Sequence, residues 1–371
     1  MKRQTIPLGR LLGISIGLDY SWFLVFVLMT WALAASYYPA EFTSWPVALY
    51  WVMGAVTTIM LFVSVVLHEL GHAVIARRYH IPVRSITLFL FGGVAELGAE
   101  PPSASAEFWI AVAGPVVSFA LAVLFGLLQP LVVGIAPLLA LATYLASING
   151  ALALFNLIPG FPLDGGRVFR AIVWGITHNL RRATLIAANL GRVIAYIFIV
   201  VGVWQILNGN LGGLWIAFIG WYLESAAATQ VAQQQIHDLL AGHIVAEAMN
   251  RDYTAISAGM TLQQVVDQYV LGRGQRCFVV EQAGTTTGLL TVHHINAVPR
   301  SAWPATTAAQ AMLPAEQFKS TSPDAELWAA LEEMDQDGVN QLPVLANHQV
   351  LGMLSRDSVI GFLRTARELG A

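Results

Sequence analysis

Long apolar runs separated by short polar segments occupy the first 230 residues of the chain, and a more evenly mixed sequence follows. A helix needs about 20 mostly apolar residues to cross a bilayer. Runs of about that length lie at 20–38, 45–76, 108–128, 136–157, 183–207 and 211–227. The pattern predicts a multi-pass α-helical membrane protein with about six transmembrane helices.

The composition supports this reading and confines the spans to the first part of the chain. Hydrophobic residues make up 56% of the 371 residues and charged residues only 11%, against about 25% charged in a typical soluble protein. We predict a membrane domain at 1–230, a linker helix at 231–243 and a soluble α/β tail at 244–371. The net charge of −3 points to no nucleic-acid partner, and the single Cys277 excludes an internal disulfide framework.

Basic residues in the short loops predict how the chain lies in the cell membrane. Cytosolic loops carry an excess of Lys and Arg. With six alternating spans, three basic clusters fall on one side, whereas the loops 39–44, 129–135 and 208–210 have no Lys or Arg. We therefore expect both termini and the tail in the cytosol. The three clusters are Lys2, Arg3 and Arg10; Arg77, Arg78 and Arg84; and Arg167, Arg170, Arg181 and Arg182.

The motif His68-Glu69-Leu-Gly-His72 ends an apolar run that carries no charge from residue 45 to residue 67. Residues four apart share one face of a helix, so the two imidazoles can bind one metal, with Glu69 beside them. Imidazoles suit zinc, which lowers the pKa of bound water to about 7, and Glu69 would accept its proton. The alternative is a chance motif, but an ionisable residue at membrane depth costs about 2.5–3.5 kcal/mol and so favours a function.

Two histidines leave a catalytic zinc site one protein ligand short. Asp164 is the best third candidate, because Pro159 and Pro162 interrupt the apolar stretch before it, and irregular backbone at membrane depth is typical of cavities. The simpler alternative is that Asp164 only caps the following helix. The other possible ligands are Glu96, Glu107, His80 and His178.

Together, His68-Glu-Leu-Gly-His72 and Asn156-Leu-Ile-Pro-Gly-Phe-Pro-Leu-Asp164-Gly-Gly-Arg167 resemble the site-2 protease family of intramembrane metalloproteases. The resemblance implies one zinc per chain on His68, His72 and Asp164, with Glu69 as catalytic base. It also implies that Asn156 holds the scissile carbonyl or its oxyanion. The alternative for Asn156 is a polar residue bonded to backbone near a helix end, and Asn149 is a weaker polar candidate.

Residues 83–97 are also similar to this family. They are β-rich and are cut by Gly92 and Gly93, which predicts a small hairpin or re-entrant sheet. A substrate helix must unwind before water can attack it, and a strand edge at Gly92 and Gly93 would bind the extended segment by β-addition. The alternative is a structural loop under the active site. Ala113-Gly114-Pro115 fits the family too, although locally it indicates only close helix packing and a kink.

The tail contains an internal repeat of 63–65 residues, with units at 244–303 and 304–371. The pairs are Ala248-Met249 with Ala311-Met312, 276–280 with 341–345, and 288–291 with 352–355. This pattern resembles a tandem pair of CBS domains and implies regulation by an adenine nucleotide. The weak contact candidates are Thr291, Ser355 and Asp357. His294 and Ser358 replace the usual acidic residue, so a homodimerisation or substrate-contact module without ligand is the alternative.

The leading hypothesis is an intramembrane zinc endopeptidase regulated by its CBS pair. It would cut a membrane-anchored protein, such as an anti-sigma factor or a transcription-factor precursor, in or near a transmembrane segment. Two alternatives stay open: a CBS-gated membrane transporter and a catalytically silent pseudoprotease.

Overall fold

A computed structural model describes residues 5–90, 92–346 and 349–369. The chain divides between Gln234 and Gln235 into two compact units, called here the membrane unit and the C-terminal unit. The division falls within the predicted linker at 231–243.

The membrane unit contains a four-stranded sheet made from two hairpins. Its strands are β1 Thr5–Leu11, β2 Ile14–Asp19, β3 Val83–Phe89 and β4 Gly92–Leu97, in the spatial order β1-β2-β3-β4. The central β2 and β3 run parallel, and both hairpins are antiparallel. The predicted small sheet at 83–97 is therefore confirmed, whereas β1 and β2 were not predicted.

Eight helices build the rest of the membrane unit. The first continues through a π-helical turn at Leu33–Tyr37 into the second. The third is the most important for function because it carries the His68 motif. The helices are α1 Ser21–Ala32, α2 Tyr38–Glu41, α3 Val47–Arg78, α4 Ala104–Leu128, α5 Ala136–Asn156, α6 Asp164–Thr177, α7 Leu180–Leu207 and α8 Gly213–Leu240.

Five helical stretches among the described residues are long and apolar enough to cross a membrane. They match the first five predicted runs to within four residues at each end, the largest difference being residue 108 predicted and residue 104 observed. Many of their large apolar side chains are exposed, as a lipid-facing surface requires. The stretches are Ser21–Glu41, Val47–Arg78, Ala104–Leu131, Ala136–Asn156 and Leu180–Leu207.

The predicted sixth run, 211–227, is not among these five stretches and stays a prediction. All but its first two residues lie in α8, where Glu224 and the glutamines after residue 229 lower the hydropathy of the helix. The predicted linker helix is likewise no separate element, since α8 continues to Leu240.

α7 and α8 nevertheless pack closely inside the membrane unit. Arg192 Nε lies 3.4 Å from Glu224 Oε1, and the Tyr196 hydroxyl bridges the two residues at 3.5 and 3.4 Å. A Cβ added to Gly202 would lie 2.4 Å from Ala217 N, so the two backbones are in direct contact. The positive charge of Arg192 on α7 is thus paired with the negative charge of Glu224 on α8.

The C-terminal unit is α/β, as predicted. Each half contains a helix, a short extended segment, further helix, two strands and a helix. The helices are α9 Val245–Ala248, α10 Leu262–Val265, α11 Leu271–Arg273, α12 Val292–Ala297, α13 Ala308–Ala311, α14 Leu327–Asp337 and α15 Arg356–Leu369. The strands are β5 Ala255–Ser257, β6 Cys277–Gln282, β7 Thr285–Thr291, β8 Leu313–Pro314, β9 Gln341–Ala346 and β10 Gln349–Ser355.

The two halves of this unit exchange segments in a symmetric way. Leu313 of the second half pairs with Leu289 of the first, and Asn250 of the first pairs with Met353 of the second. The offsets between these equivalent positions are 313 − 250 = 63 and 353 − 289 = 64, which match the repeat predicted from the sequence. Each half therefore completes the sheet of the other.

The exchange depends on glycine at the crossing points. A Cβ on Gly288 would lie 2.6 Å from Leu313 O, and one on Gly352 would lie 2.7 Å from Asn250 O. The Met312 side chain, whose Sδ would lie 2.5 Å from the Cβ on Gly288, can move aside, but the two carbonyl oxygens belong to the backbone and cannot do so easily.

We expect Gly288→Ala to lower the free energy of unfolding of the C-terminal unit by about 1–3 kcal/mol, the usual effect of overpacking. Gly361→Ala is the matched control, because Gly361 lies in α15 with no atom within 4 Å of an added Cβ. It should be neutral or stabilise by about 0.5–1 kcal/mol. Thermal unfolding of the full chain in detergent measures both, and equal melting temperatures would contradict the exchanged arrangement.

Candidate metal centre

The structure brings His68, His72 and Asp164 together. The two histidines lie on one face of α3 and are only 4% and 5% exposed. Asp164 is the first residue of α6, placed by the irregular turn that follows α5. The three ligand atoms form a small triangle: the two Nε2 atoms are 3.2 Å apart, and Asp164 Oδ2 lies 3.1 Å from His68 Nε2 and 3.3 Å from His72 Nε2.

This triangle fits a zinc ion. Bonds of about 2.0–2.2 Å at tetrahedral angles place neighbouring ligand atoms about 3.3–3.6 Å apart. The observed separations of 3.1–3.3 Å are close to that spacing. Two imidazoles and one carboxylate also form a donor set known from catalytic zinc sites, in which a fourth position stays open.

The charge state of Asp164 suits a ligand. Burial by itself would raise the pKa of the carboxyl, but the charge of His72 and hydrogen bonds with His68 and His72 hold that pKa well below its usual range. The group is therefore an ionised carboxylate at neutral pH, which a metal ligand must be.

The outward nitrogens of both imidazoles face α4. His68 Nδ1 lies 2.8 Å from Ser118 Oγ, and His72 Nδ1 lies 2.6 Å from the Ile110 carbonyl oxygen. Both ring nitrogens of each histidine thus have a defined neighbour, one in the triangle and one on α4.

Gly114, also on α4, is a site residue whose role sequence reasoning missed. A Cβ at this position would lie 2.1 Å from His72 Nε2 and 2.6 Å from His68 Nε2, in the space where a metal would sit. The signal in the sequence was Ala113-Gly114-Pro115, which locally indicated only close packing. The structure shows that the close neighbours of Gly114 are the two imidazoles.

A buried ion pair holds the helix that begins with Asp164. Arg170 on α6 donates to Glu107 on α4, with Nε 2.6 Å from Oε1, and Glu107 is fully buried. The Arg170 guanidinium also lies 5.2 Å from the ring centroid of Phe161. Glu107, a candidate third ligand by sequence, therefore ties α6 to α4 and lies outside the triangle.

The remaining alternatives for the third ligand lie elsewhere. Glu96 accepts a hydrogen bond from Ser85 at 3.0 Å, while His80 and His178 are exposed in left-handed turns after α3 and α6. The idea that Asp164 only caps a helix is wrong, because Leu163 occupies the cap position and the carboxylate points to the imidazoles.

Strand β4 lies directly against Glu69. A Cβ on Gly93 would be 2.6 Å from Glu69 Cγ, and the backbone of Ala95 is within hydrogen-bonding reach of the Glu69 carboxylate. Gly92 has φ +128°, a conformation that favours glycine. Because β4 is an edge strand of the described sheet, its outer backbone groups have no strand partner there.

Two asparagines on α5 differ in their surroundings. Asn156 is the last residue of the helix, and within the described part of the chain its amide makes no hydrogen bond, so the backbone-bonded alternative does not hold there. Asn149 is fully buried and donates to Ser64 Oγ at 3.2 Å and to the Leu145 carbonyl at 2.8 Å. Asn149 is thus committed to packing α5 against α3, and Asn156 is available.

The nucleotide candidates of the C-terminal unit serve as helix caps. Thr291 accepts from the backbone of His294, and Ser355 accepts from the backbone of Ser358 at 3.0 Å. His294 and Ser358 bond back to their caps in return. Asp357 is exposed at the start of α15.

Known proteins share these features. The model of peptidase family M50 matches residues 56–136 and 132–201. "Putative zinc metalloprotease Rip3" of Mycobacterium tuberculosis is 38% identical over 337 residues, which cover 90% of this chain and 86% of that protein. The chain belongs to peptidase family M50. A second relative, "Putative zinc metalloprotease sll0528" of Synechocystis sp., is 35% identical over 98% of this chain and 96% of its own length.

One solved structure and a second family model also match parts of this chain. The "Site-2 Protease from Methanocaldococcus jannaschii" is a solved structure with 30% identity that covers 61% of this chain and 95% of its own, at a TM-score of 0.43. The CBS-domain model matches residues 310–365, the second repeat. The predicted resemblance to site-2 proteases with a CBS region is confirmed, and so is the prediction of a zinc metalloprotease at the level of the M50 family.

We expect Gly114→Ala to remove zinc from the purified M50 chain, because the added methyl group would occupy the space between the two imidazoles. Gly126→Ala is the matched control on the same helix, since no atom lies within 4 Å of its added Cβ. Metal analysis should give about one zinc per chain for the control, as for the wild type. A fully loaded Gly114→Ala variant would show that the metal binds elsewhere.

Proposed function

We propose that this M50 chain is an intramembrane zinc endopeptidase of the site-2 type, which hydrolyses peptide bonds in or near the transmembrane segment of a membrane-anchored protein. One observation carries the proposal: His68, His72 and Asp164 present three ligand atoms at tetrahedral spacing, next to Glu69 and an open strand edge. When bound, zinc would supply Lewis acidity, which acidifies water and polarises a peptide carbonyl.

Each of the surrounding residues has a role in this reaction. Glu69 accepts a proton from the attacking water and returns it to the leaving amide nitrogen. Asn156 donates its amide hydrogen to the scissile carbonyl oxygen as negative charge develops there. The edge of β4 at Gly92 and Gly93 binds the unwound substrate as an added strand and brings its backbone to Glu69.

The proposed topology keeps both termini and the C-terminal unit in the cytosol. One basic cluster follows the His68 motif at the end of α3, and another follows Asp164 between α5 and α7. The five apolar stretches alone would place the termini on opposite sides. We therefore propose that the first half of α8 crosses the membrane too, with Glu224 neutralised by Arg192 on α7.

The substrate class proposed is a membrane-anchored regulator, such as an anti-sigma factor or a transcription-factor precursor, as the resemblance implies. A transporter is less well supported, since the two buried histidines of α3 converge with Asp164 on a hydrolytic arrangement. A catalytically silent pseudoprotease would bind zinc without cleaving a substrate, and the cleavage assay below tests this difference.

Glu69→Gln should keep about one zinc per chain and lose activity by about 10²–10⁴-fold, the usual contribution of a general base. Asp164→Ala should lose both zinc and activity. The assay uses detergent-purified full chain reconstituted with a single-span model protein whose span carries a Gly-Pro break. Cleavage by Glu69→Gln at the wild-type rate would exclude the mechanism, and no cleavage by a zinc-loaded wild type would favour the pseudoprotease.

We further propose that the C-terminal unit regulates the protease, through a bound adenine nucleotide or through homodimer formation. Of these two modes of regulation, nucleotide binding should be tested first, because the CBS resemblance implies it. The expected result is a saturable rise in melting temperature of the full chain with AMP or ATP, weakened by Asp357→Ala. The control is Asp252→Ala, an exposed carboxylate of the same unit. No shift at millimolar nucleotide would leave dimerisation as the regulatory mode.

A further inference from the structure

One side chain on α4, Ser118, contacts the outward nitrogen of a motif histidine. Its hydroxyl lies 2.8 Å from His68 Nδ1, and both residues are buried, Ser118 completely and His68 to 96%. The equivalent neighbour of His72 is the Ile110 carbonyl, which belongs to the backbone. The orientation of His68 therefore depends on which residue occupies position 118, whereas that of His72 does not depend on a side chain in the same way.

The chemistry of imidazole decides which atom is the donor in the hydrogen bond between His68 and Ser118. A neutral histidine carries one N–H, and the nitrogen that binds a metal must present its lone pair. In both histidines Nε2 faces the triangle, so Nδ1 must carry the hydrogen. The His68 Nδ1–H then donates to Ser118 Oγ. Such outer hydrogen bonds set the tautomer and ring orientation of metal-binding histidines.

We propose that Ser118 is a positioning residue for the metal centre, which fixes His68 in the Nδ1–H tautomer and aims Nε2 at the ion. This inference rests on the proposed zinc site. Ser64, one turn before His68 on α3, cannot replace Ser118, because it bonds to the Met60 carbonyl and to Asn149. Alanine at 118 would leave the Nδ1–H buried without an acceptor, or release the ring to turn away.

The test measures zinc affinity of the detergent-purified full chain by competition with a chelator. Ser118→Ala should bind zinc about 10–100-fold more weakly than the wild type, the usual effect of removing an outer partner of a ligand. The matched control is Thr58→Val, which removes a fully buried hydroxyl from α3 ten residues before His68; its partners among the described residues are Gly54 and Thr30. Its zinc affinity should be unchanged.

Two further readouts separate positioning from packing. The visible absorption of the cobalt-substituted protein should change in Ser118→Ala and not in Thr58→Val, because only the former disturbs a ligand. The melting temperature of the metal-free protein should be similar in both. A large fall confined to metal-free Ser118→Ala would assign Ser118 to packing and overturn the inference.

The two proposals fail in different ways. Unchanged zinc affinity and cobalt spectrum in Ser118→Ala would overturn the role of Ser118 and leave the metal centre intact. A folded wild type that binds no zinc would overturn the proposed function itself.

Discussion

Two imidazoles and a carboxylate lie close together in a largely apolar helix bundle, and this placement constrains the residues around them. Polar groups removed from water are destabilising unless each one has a partner. The inner atoms face one another at 3.1–3.3 Å, a spacing that a cation would satisfy. The outer nitrogens face α4 at 2.6 and 2.8 Å. The approach of α4 to α3 is therefore set by hydrogen-bond distance, and Gly114 is the residue that lets the helix come so close.

The third ligand arrives from a distant part of the chain and needs its own support. Asp164 begins α6, and the two glycines behind it pack against the preceding turn: a Cβ on Gly165 would lie 2.3 Å from Leu157 O, and one on Gly166 would lie 2.3 Å from Gly160 C. The buried pair of Arg170 and Glu107 then ties α6 to α4. Breaking such a pair leaves one uncompensated buried charge. The same helix thus supports all three ligands, two directly and one through α6.

The features that the sequence predicted are local ones. The apolar runs, the four-residue spacing of His68 and His72, and the Gly-cut hairpin each depend on neighbours along the chain. The β1–β2 hairpin escaped prediction because β2 finds its parallel partner, β3, some seventy residues later: Ser15 pairs with Ser85. The apolar part of α8 was predicted as a span, but the sequence did not show that the counter-charge of its Glu224 is Arg192 on α7. The roles of Gly114 and Ser118 become visible only once α4 is placed against α3, because both contact the motif histidines.

The position of β4 offers a physical reason why the proposed enzyme would cut only unwound segments. A helix satisfies its own backbone groups, so it offers none to a strand edge, whereas an extended segment offers one donor and one acceptor at alternate positions. Gly93 carries no side chain, so the strand that would bind the extended segment lies in contact with Glu69. Substrate binding by β4 and proton transfer by Glu69 would then take place at the same short stretch of backbone. A residue with a side chain at 93 would separate the two, which makes the absence of a Cβ there part of the proposed specificity.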